Sequence, residues 1–358
     1  MLIESIIVFV VLLLVLVLVH ELGHFLTAKL FGCRVEEFAF GFPPKILSKT
    51  KGETKYSFNL IPLGGYVKIE GEDMEEEDPG PRSFASKPAW MRIIILSAGV
   101  AMNVVLTIVL LSIQSGLGTP MLITEDNASK AQDIRAYVVE VDEGSPAEEA
   151  GIKQFDRIVA VETEENPDIS LIQQIGRDYG GQEIKIVIDR QGIDETVTVV
   201  PRVNPPSGEG PIGMALQEIG LVKTPWYKAP VAGISRTYEM FVVIMGRFWQ
   251  LIREILAGSR VGDILTGPIG IAIYTGEATS MGISYILEFA ALISINLAII
   301  NFIPFPALDG GRVIFILFEI LYGKRLSNKF EHWAHLTGFV LLMALMVYVT
   351  LNDIGRFL

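Results

Sequence analysis

The sequence has little cysteine, little charge and no excess of basic residues. A single cysteine, Cys33, excludes an intrachain disulfide and gives no indication of a redox compartment. Only 20% of the 358 residues are charged and 50% are apolar, a composition that indicates a membrane protein. Acidic residues outnumber basic ones, 41 to 29, so a nucleic-acid partner is not expected. Because these charges need water, we expect several membrane spans and at least one aqueous domain.

Long apolar runs predict a polytopic α-helical membrane protein with about four transmembrane helices. About 20 apolar residues are needed to cross ~30 Å of hydrocarbon. Four runs meet this length, at about residues 3–30, 93–114, 283–303 and 333–351. The first run is too long and lacks the basic start of a cleavable signal peptide.

The lysines and arginines of the short connections predict the orientation. Ten of them lie from Lys29 to Arg92 and four from Arg312 to Lys329. Basic residues favour the cytoplasmic side, so both connections are expected there. Both termini and the central segment are then expected to be extracytoplasmic.

The regions between the spans predict two β-rich parts and an amphipathic helix. Alternating β-branched residues predict a small soluble domain at 134–203, between membrane parts at 1–115 and 283–358. A linker at 204–282 contains a helix at about 228–257, expected to lie on the outer face of the membrane rather than to cross it. Two strands at about 54–72, around a turn from Pro62 to Gly65, predict a hairpin that dips into the bilayer or lies in the cytoplasm.

The stretch VLVLVHELGHFLTA, residues 15–28, places three polar side chains inside the first span. In H-E-x-x-H on a helix, His20 and His24 share one face and can bind a single zinc ion. Glu21 can take a proton from water activated by that zinc. The alternative is a polar patch that faces the interior of a helix bundle. Polar groups at bilayer depth are costly without a partner, which favours the zinc site.

A third ligand is predicted in NFIPFPALDGG, residues 301–311. Two prolines interrupt a membrane helix beside Asp309, and irregular backbone at that depth must line a cavity or be buried in protein. Gly310 and Gly311 indicate a close backbone approach. The alternative is an aspartate that caps a helix at the cytoplasmic interface. The rise of 1.5 Å per residue places both motifs in the cytoplasmic third of the bilayer, so they can meet.

The two motifs together resemble the site-2 protease family, peptidase family M50, in its bacterial regulator-of-sigma-E protease branch. Further segments resemble that family in the same order: FGFPPKI at 40–46, IPLGGYVKIEGE at 61–72, SAGVAMN at 97–103 and TGPIGIA at 266–272. The resemblance implies an intramembrane zinc metalloprotease of the bacterial plasma (inner) membrane. Its substrates would be single-span membrane proteins such as anti-sigma factors or signal-peptide remnants.

By the same resemblance, the domain at 134–203 is one extracytoplasmic PDZ domain, a size filter or sensor that can bind a peptide. Many proteobacterial relatives carry two such domains. Phe155 stands where a glycine is usual in that domain, and Val100 where a proline is common in the second span.

The resemblance also implies substrate-binding residues. Asn301, Pro304 and Pro306 would contact substrate backbone, with Asn301 helping to stabilise the oxyanion or, alternatively, satisfying the broken helix. Gly64, Gly65 and Tyr66 belong to the predicted hairpin, and the family is similar in having such a membrane-associated β-hairpin. An exposed edge of this hairpin could pair with an extended substrate by strand addition.

Other polar residues of the spans have simpler interpretations. Asn103 is expected to form a hydrogen bond between helices. His332 and His335 are spaced to bind metal, but beside Trp333 they are expected to form an interfacial belt. The competing class is a non-proteolytic membrane protein, either a metal transporter or a scaffold with a PDZ domain. A transporter would distribute polar groups along a path, whereas here they converge at one level.

Overall fold

A computed structural model describes most of the chain, namely residues 2–72, 80–124, 127–190, 192–206, 208–258, 265–324 and 326–357. It contains two compact units. The first comprises Met1–Leu111, Gly233–Gly276 and Leu287–Leu358, and the second comprises Ser112–Ala232 and Glu277–Ile286.

Helices make up most of the first unit, and two short helices, the third and fourth in chain order, belong to the second unit. The described helices are α1 (Leu2–Leu30), α2 (Ala89–Leu117), α3 (Pro146–Glu149), α4 (Ile169–Asp178), α5 (Ala229–Leu256), α6 (Pro268–Met281), α7 (Ile283–Phe302), α8 (Asp309–Tyr322) and α9 (Asn328–Phe357).

The strands are grouped in two sheets. They are β1 (Val35–Lys51), β2 (Thr54–Ile69), β3 (Thr119–Leu122), β4 (Ala131–Val141), β5 (Arg157–Val161), β6 (Glu164–Glu165), β7 (Ile184–Arg190), β8 (Ile193–Val199) and β9 (Met214–Val222).

Within the described chain, four helices, α1, α2, α7 and α9, are long and apolar enough to cross a membrane. Their most apolar windows have mean hydropathies of 2.0 to 2.9, and between 11% and 33% of each window is buried in protein. The remaining apolar surface needs lipid around it, because water would not solvate it favourably. The predicted count of four spans is confirmed, with helix ends that extend past the predicted ones by one to six residues at most termini.

Two shorter helices next to the spans, α6 and α8, were not predicted. Each has 14 residues, too few to cross the hydrocarbon. The amphipathic helix predicted at 228–257 corresponds to α5, which is not among the four apolar helices. Residues 207 and 259–264 of the predicted linker lie outside the described residues.

The hairpin of the first unit differs from the prediction of two short strands at 54–72. Its turn is at Gly52 and Glu53, and residues 61–65 lie inside β2. Gly52 has φ +65°, the left-handed conformation that a tight turn requires, which explains why the chain reverses there. The prediction assigned the reversal to the segment Pro62–Gly65, which instead is the bend that lets β2 pair twice with β1.

That double pairing makes residues 37–40 of β1 an inner segment of the first sheet. Phe38 of β1 lies opposite Val67 on one side and Tyr56 on the other. Along the pairs that β1 makes with residues 65–68 of β2, the residue numbers of the two segments change in opposite directions. Along the pairs from Glu37–Lys55 to Phe40–Phe58, the residue numbers of both segments rise together. The last segment of β2, residues 65–69, pairs with β1 on one edge and with no second strand among the described residues.

The second unit is built around a seven-stranded sheet with the order β3-β9-β4-β5-β7-β8, and β6 pairs with β5. Its core contains fully buried isoleucines and valines, including Val138, Ile158 and Ile186, with Ile172 of α4 packed against them. The sheet extends beyond the predicted range 134–203, since β3 precedes it and β9 lies in the predicted linker. The Gly- and Pro-rich segment before β9 resembles a domain end, but β9 pairs with both β3 and β4.

Phe155 lies in a loop of this second unit, with φ +73° and a side chain that is 68% exposed. A left-handed backbone favours glycine, so the structure gives a physical reason for the glycine that the resemblance led us to expect there.

Candidate metal centre

Helix α1 places His20 and His24 one turn apart on its buried side. Both residues are less than a tenth exposed, and their Nε2 atoms are 3.2 Å apart. Leu12 and Leu16, on the preceding turns, pack with α7 residue Ala290. The apolar stripe that buries this side of α1 therefore also brings both imidazoles into the protein interior.

Asp309, the first residue of α8, reaches the same point from the other end of the chain. Its Oδ2 atom lies 3.1 Å from His20 Nε2 and 3.5 Å from His24 Nε2. Ligands about 2.0–2.1 Å from a tetrahedral ion are about 3.3 Å from one another. The three atoms thus have the spacing of three corners of a zinc tetrahedron, and the predicted meeting of the two motifs is confirmed.

The hydrogen bond at the far side of His24 orients its ring. His24 Nδ1 is 2.8 Å from the carbonyl oxygen of Ile95 on α2, so Nδ1 carries the hydrogen and donates it. In the neutral ring, Nε2 then presents a lone pair toward Asp309.

Asn103 of α2 can orient His20 in the same way. Its amide Nδ2 is 3.2 Å from His20 Nδ1, while its Oδ1 is buried without a hydrogen-bond partner. With the amide turned so that its two ends exchange places, Oδ1 accepts a hydrogen bond from His20 Nδ1–H. Asp309 Oδ2 is likewise buried without a hydrogen bond. Three lone pairs then converge with no hydrogen between them, which is the environment that a cation stabilises.

Glu21 lies beside these candidate ligands in a cavity of about 530 Å³. The residues that line the cavity are His20, Glu21, His24, Tyr66, Val67, Lys68, Ile69, Glu72, Ala307, Asp309 and Arg312. Gly65 packs against the stem of Glu21, since a methyl group at Gly65 would lie 3.5 Å from Glu21 Cγ. The end of β2 and the glutamate therefore face one space large enough for an extended peptide segment.

Glycines of α1 and α2 that the sequence analysis did not select determine how closely the helices approach. A methyl group at Gly99 would lie 2.3 Å from His24 Nε2 and 2.6 Å from His20 Cε1. One at Gly23 would lie 2.3 Å from the carbonyl oxygen of Ala98. Small residues allow such close helix contacts in membranes, and this is the signal that could have identified both glycines.

The predicted close approach at Gly310 and Gly311 is confirmed. Methyl groups there would lie 2.4 Å from the carbonyl oxygen of Phe302 and 2.2 Å from that of Phe305. The two glycines let α8 begin directly against the chain that leads into it, which brings Asp309 to the histidines.

The predicted substrate-binding residues occupy different places. Asn301 Nδ2 is 3.4 Å from His20 Nε2, and Tyr66 lines the cavity. Gly64 packs against the ring of Phe42 instead. In the loop before α8, Ala307 lines the cavity. The two predicted prolines, Pro304 and Pro306, are not among the described residues that line it.

The comparison with known proteins identifies the class. The chain belongs to peptidase family M50, whose model matches residues 8–345. It is similar to zinc metalloprotease RasP of Geobacillus kaustophilus, at 31% identity over 99% of this chain and 98% of that protein. It is also similar to zinc metalloprotease RasP of Oceanobacillus iheyensis, at 31% identity over 98% of this chain and 99% of that protein.

These findings confirm the predicted site-2 protease family, metalloprotease activity and zinc cofactor. With its four apolar helices, the protein is a multi-pass membrane metalloprotease.

Proposed function

We propose that the protein cleaves single-span membrane proteins within or near the bilayer, with Glu21 as general base and acid. His20, His24 and Asp309 would be the zinc ligands. One observation carries this proposal: the three candidate ligand atoms and Glu21 share a single cavity beside an apolar helix. Groups of this kind are rare at bilayer depth without a function.

The residues of the cavity can divide the chemistry between them. Bound zinc supplies a Lewis acid that polarises the carbonyl group and acidifies water. Glu21 accepts a proton from the attacking water as the new C–O bond forms, and donates it to the amide nitrogen as the C–N bond breaks. Asn301, whose Nδ2 is 3.4 Å from His20 Nε2, would donate a hydrogen bond from its side-chain amide to the carbonyl oxygen of the substrate.

The end of β2 supports a mechanism for presenting the substrate. A helix in lipid uses its amides in its own hydrogen bonds, so the scissile bond must become extended before attack. Tyr66, Val67, Lys68 and Ile69 all line the cavity, and among the described residues this segment pairs as a strand with β1 on one edge. An extended substrate segment can add to the other edge by strand pairing, which aligns its backbone beside Glu21.

The charges and the sheet domain support a proposed cellular arrangement. We place the protein in the bacterial plasma membrane, with both termini and the second unit extracytoplasmic. The second unit would be a single PDZ domain that limits substrate size or senses a peptide. Helix α5, whose exposed side chains include Val231, Ile234 and Tyr238, would lie on the outer face of the membrane. The proposed substrates are anti-sigma factors and signal-peptide remnants.

The decisive experiment compares two variants of the purified protein in proteoliposomes with tagged single-span substrates. Glu21→Gln should keep its zinc but lose about 10²–10⁴-fold in cleavage rate, the usual contribution of a general base. Asp309→Asn should lower the zinc content itself. Zinc content is read by elemental analysis and cleavage on gels, with a chelator-treated sample as the control.

The alternatives give opposite results. A scaffold or a transporter would show no zinc-dependent cleavage by the parent protein. Undiminished cleavage by Glu21→Gln would rule out the proposed mechanism, and full zinc retention by Asp309→Asn would remove that residue from the ligand set.

A further inference from the structure

We infer that His335 of α9 is a positioning residue that holds the loop presenting Asp309 to the metal centre. The backbone N–H of Ala307 donates a hydrogen bond to His335 Nδ1 at 3.0 Å. Ala307 lies two residues before Asp309 and lines the catalytic cavity. This inference rests on the proposed role of Asp309 as a ligand.

The loop between α7 and α8 needs external support because its conformation is unfavourable in isolation. Ala307 has φ +83°, a left-handed conformation that residues other than glycine rarely adopt. Leu308 precedes α8 in the N-cap position but provides no side-chain hydrogen bond to the helix. Such a conformation persists only where surrounding contacts hold it.

The ring of His335 is itself fixed. It packs edge-to-face on Phe315 of α8, with ring centroids 5.8 Å apart. His335 therefore joins the loop, through Ala307, to the helix that Asp309 begins. Because the ring is held in this way, the hydrogen bond that it accepts from Ala307 restricts the backbone that leads to Asp309. Residues that do not bind the metal themselves commonly orient the metal ligands in this manner.

One turn further along the same helix, Gly338 makes a second contact with the loop. A methyl group at Gly338 would lie 2.4 Å from the carbonyl oxygen of Pro306, so the backbones of α9 and the loop touch directly. Residues three apart lie on the same face of a helix, and this face of α9 thus contacts two successive loop residues. The sequence analysis assigned His335 to an interfacial belt, whereas the structure gives it a specific backbone partner.

The test uses the full-length protein in detergent and measures zinc affinity by competition with chelators. His335→Leu removes the acceptor and should weaken zinc binding about 10–100-fold, the usual cost of losing an outer partner. His335→Asn places an oxygen at the position of Nδ1 and should restore most of the affinity. His332→Leu, at an exposed histidine on the preceding turn, is the matched control and should bind zinc like the parent.

A second pair of variants tests the backbone contact. Gly338→Ala should weaken zinc binding, whereas Gly355→Ala should not, because a methyl group at Gly355 has no heavy atom within 4 Å. Thermal unfolding of the zinc-free proteins, measured in parallel, separates loss of the site from loss of the fold.

Parent-like zinc affinity in His335→Leu would overturn the inference, as would equal losses in His335→Leu and His335→Asn. Its failure is distinguishable from failure of the proposed ligand set. If Asp309→Asn loses zinc but His335→Leu does not, only the positioning role is wrong. If Asp309→Asn retains its zinc, the ligand assignment is wrong and the positioning role fails with it.

Discussion

At the scale of single residues, the candidate centre depends as much on missing side chains as on the ligands. The imidazoles of His20 and His24 lie against the backbone of α2 at Gly99, where there is no room for a methyl group. The same helix supplies the carbonyl oxygen of Ile95, which orients His24, and the amide of Asn103 beside His20. Metal affinity should therefore respond to α2 residues that contact no metal.

We expect Gly99→Ala to weaken zinc binding while the protein still folds. The added methyl group would displace both imidazoles, and overpacking of this kind costs about 1–3 kcal/mol. If the whole cost falls on the zinc-bound state, the zinc affinity decreases about 5- to 150-fold. Competition with a chelator measures this decrease.

Gly246→Ala in α5 is the control, because a methyl group there meets no heavy atom within 4 Å. A Gly99→Ala protein that binds zinc as tightly as the Gly246→Ala protein would contradict the observed packing of α1 on α2.

At the scale of elements, the hairpin is attached to the helix that carries the histidines. Phe25 of α1 packs edge-to-face on Phe38 of β1, with centroids 5.3 Å apart. At the hairpin turn, Glu53 accepts hydrogen bonds from Arg82 and Lys29, which lower the pKa of Glu53 to about 2. Both ends of the hairpin are thus fixed, and the segment 65–69 is held beside Glu21.

We expect disulfide cross-linking to detect strand pairing between this segment and the substrate. Tyr66→Cys and Lys68→Cys, each in Glu21→Gln protein, place thiols two residues apart on one face of the strand. Paired strands bring Cα atoms within about 4.4–6.8 Å, as a disulfide requires. Each thiol should therefore cross-link to a different substrate cysteine, and the two substrate positions should also be two residues apart.

Lys49→Cys, on the exposed segment of β1 away from the cavity, should not cross-link under the same conditions. The native Cys33 is fully buried and adds no background. Cross-links without a two-residue spacing would mean that the substrate binds in another conformation.

At the scale of the whole molecule, the proposed topology rests on charge and apolar length. The basic residues are concentrated in the connections that contain the hairpin and α8, and the four apolar helices leave the seven-stranded sheet between the second and third spans. The proposed topology places the hairpin in the cytoplasm and the sheet outside.

We expect a membrane-impermeant maleimide to label Asp194→Cys in intact cells and Thr50→Cys only after permeabilisation. Both positions are exposed, in β8 and in β1 respectively, so reactivity reports the side of the membrane rather than burial. Parent protein, whose single cysteine is buried, is the unlabelled control. The reverse pattern of labelling would invert the topology.

The sequence by itself determined the local chemistry and the spans. H-E-x-x-H is a helical spacing, so it places His20 and His24 on one face whatever surrounds them, and hydropathy depends on composition alone. The prediction that Asp309 meets the histidines, rather than only capping a helix, required a depth argument, because both helices are expected to cross the same bilayer.

Only the tertiary structure decided what surrounds those candidate ligands. The sequence predicted no contact with the candidate ligands for Gly99, Asn103 or His335, because their roles arise from contacts between segments far apart in the chain. The hairpin turn and strand β9 were misplaced for the same reason, since pairing between distant segments overrides local turn signals. Ligand identity is a property of local spacing, whereas the position and orientation of the ligands are properties of packing.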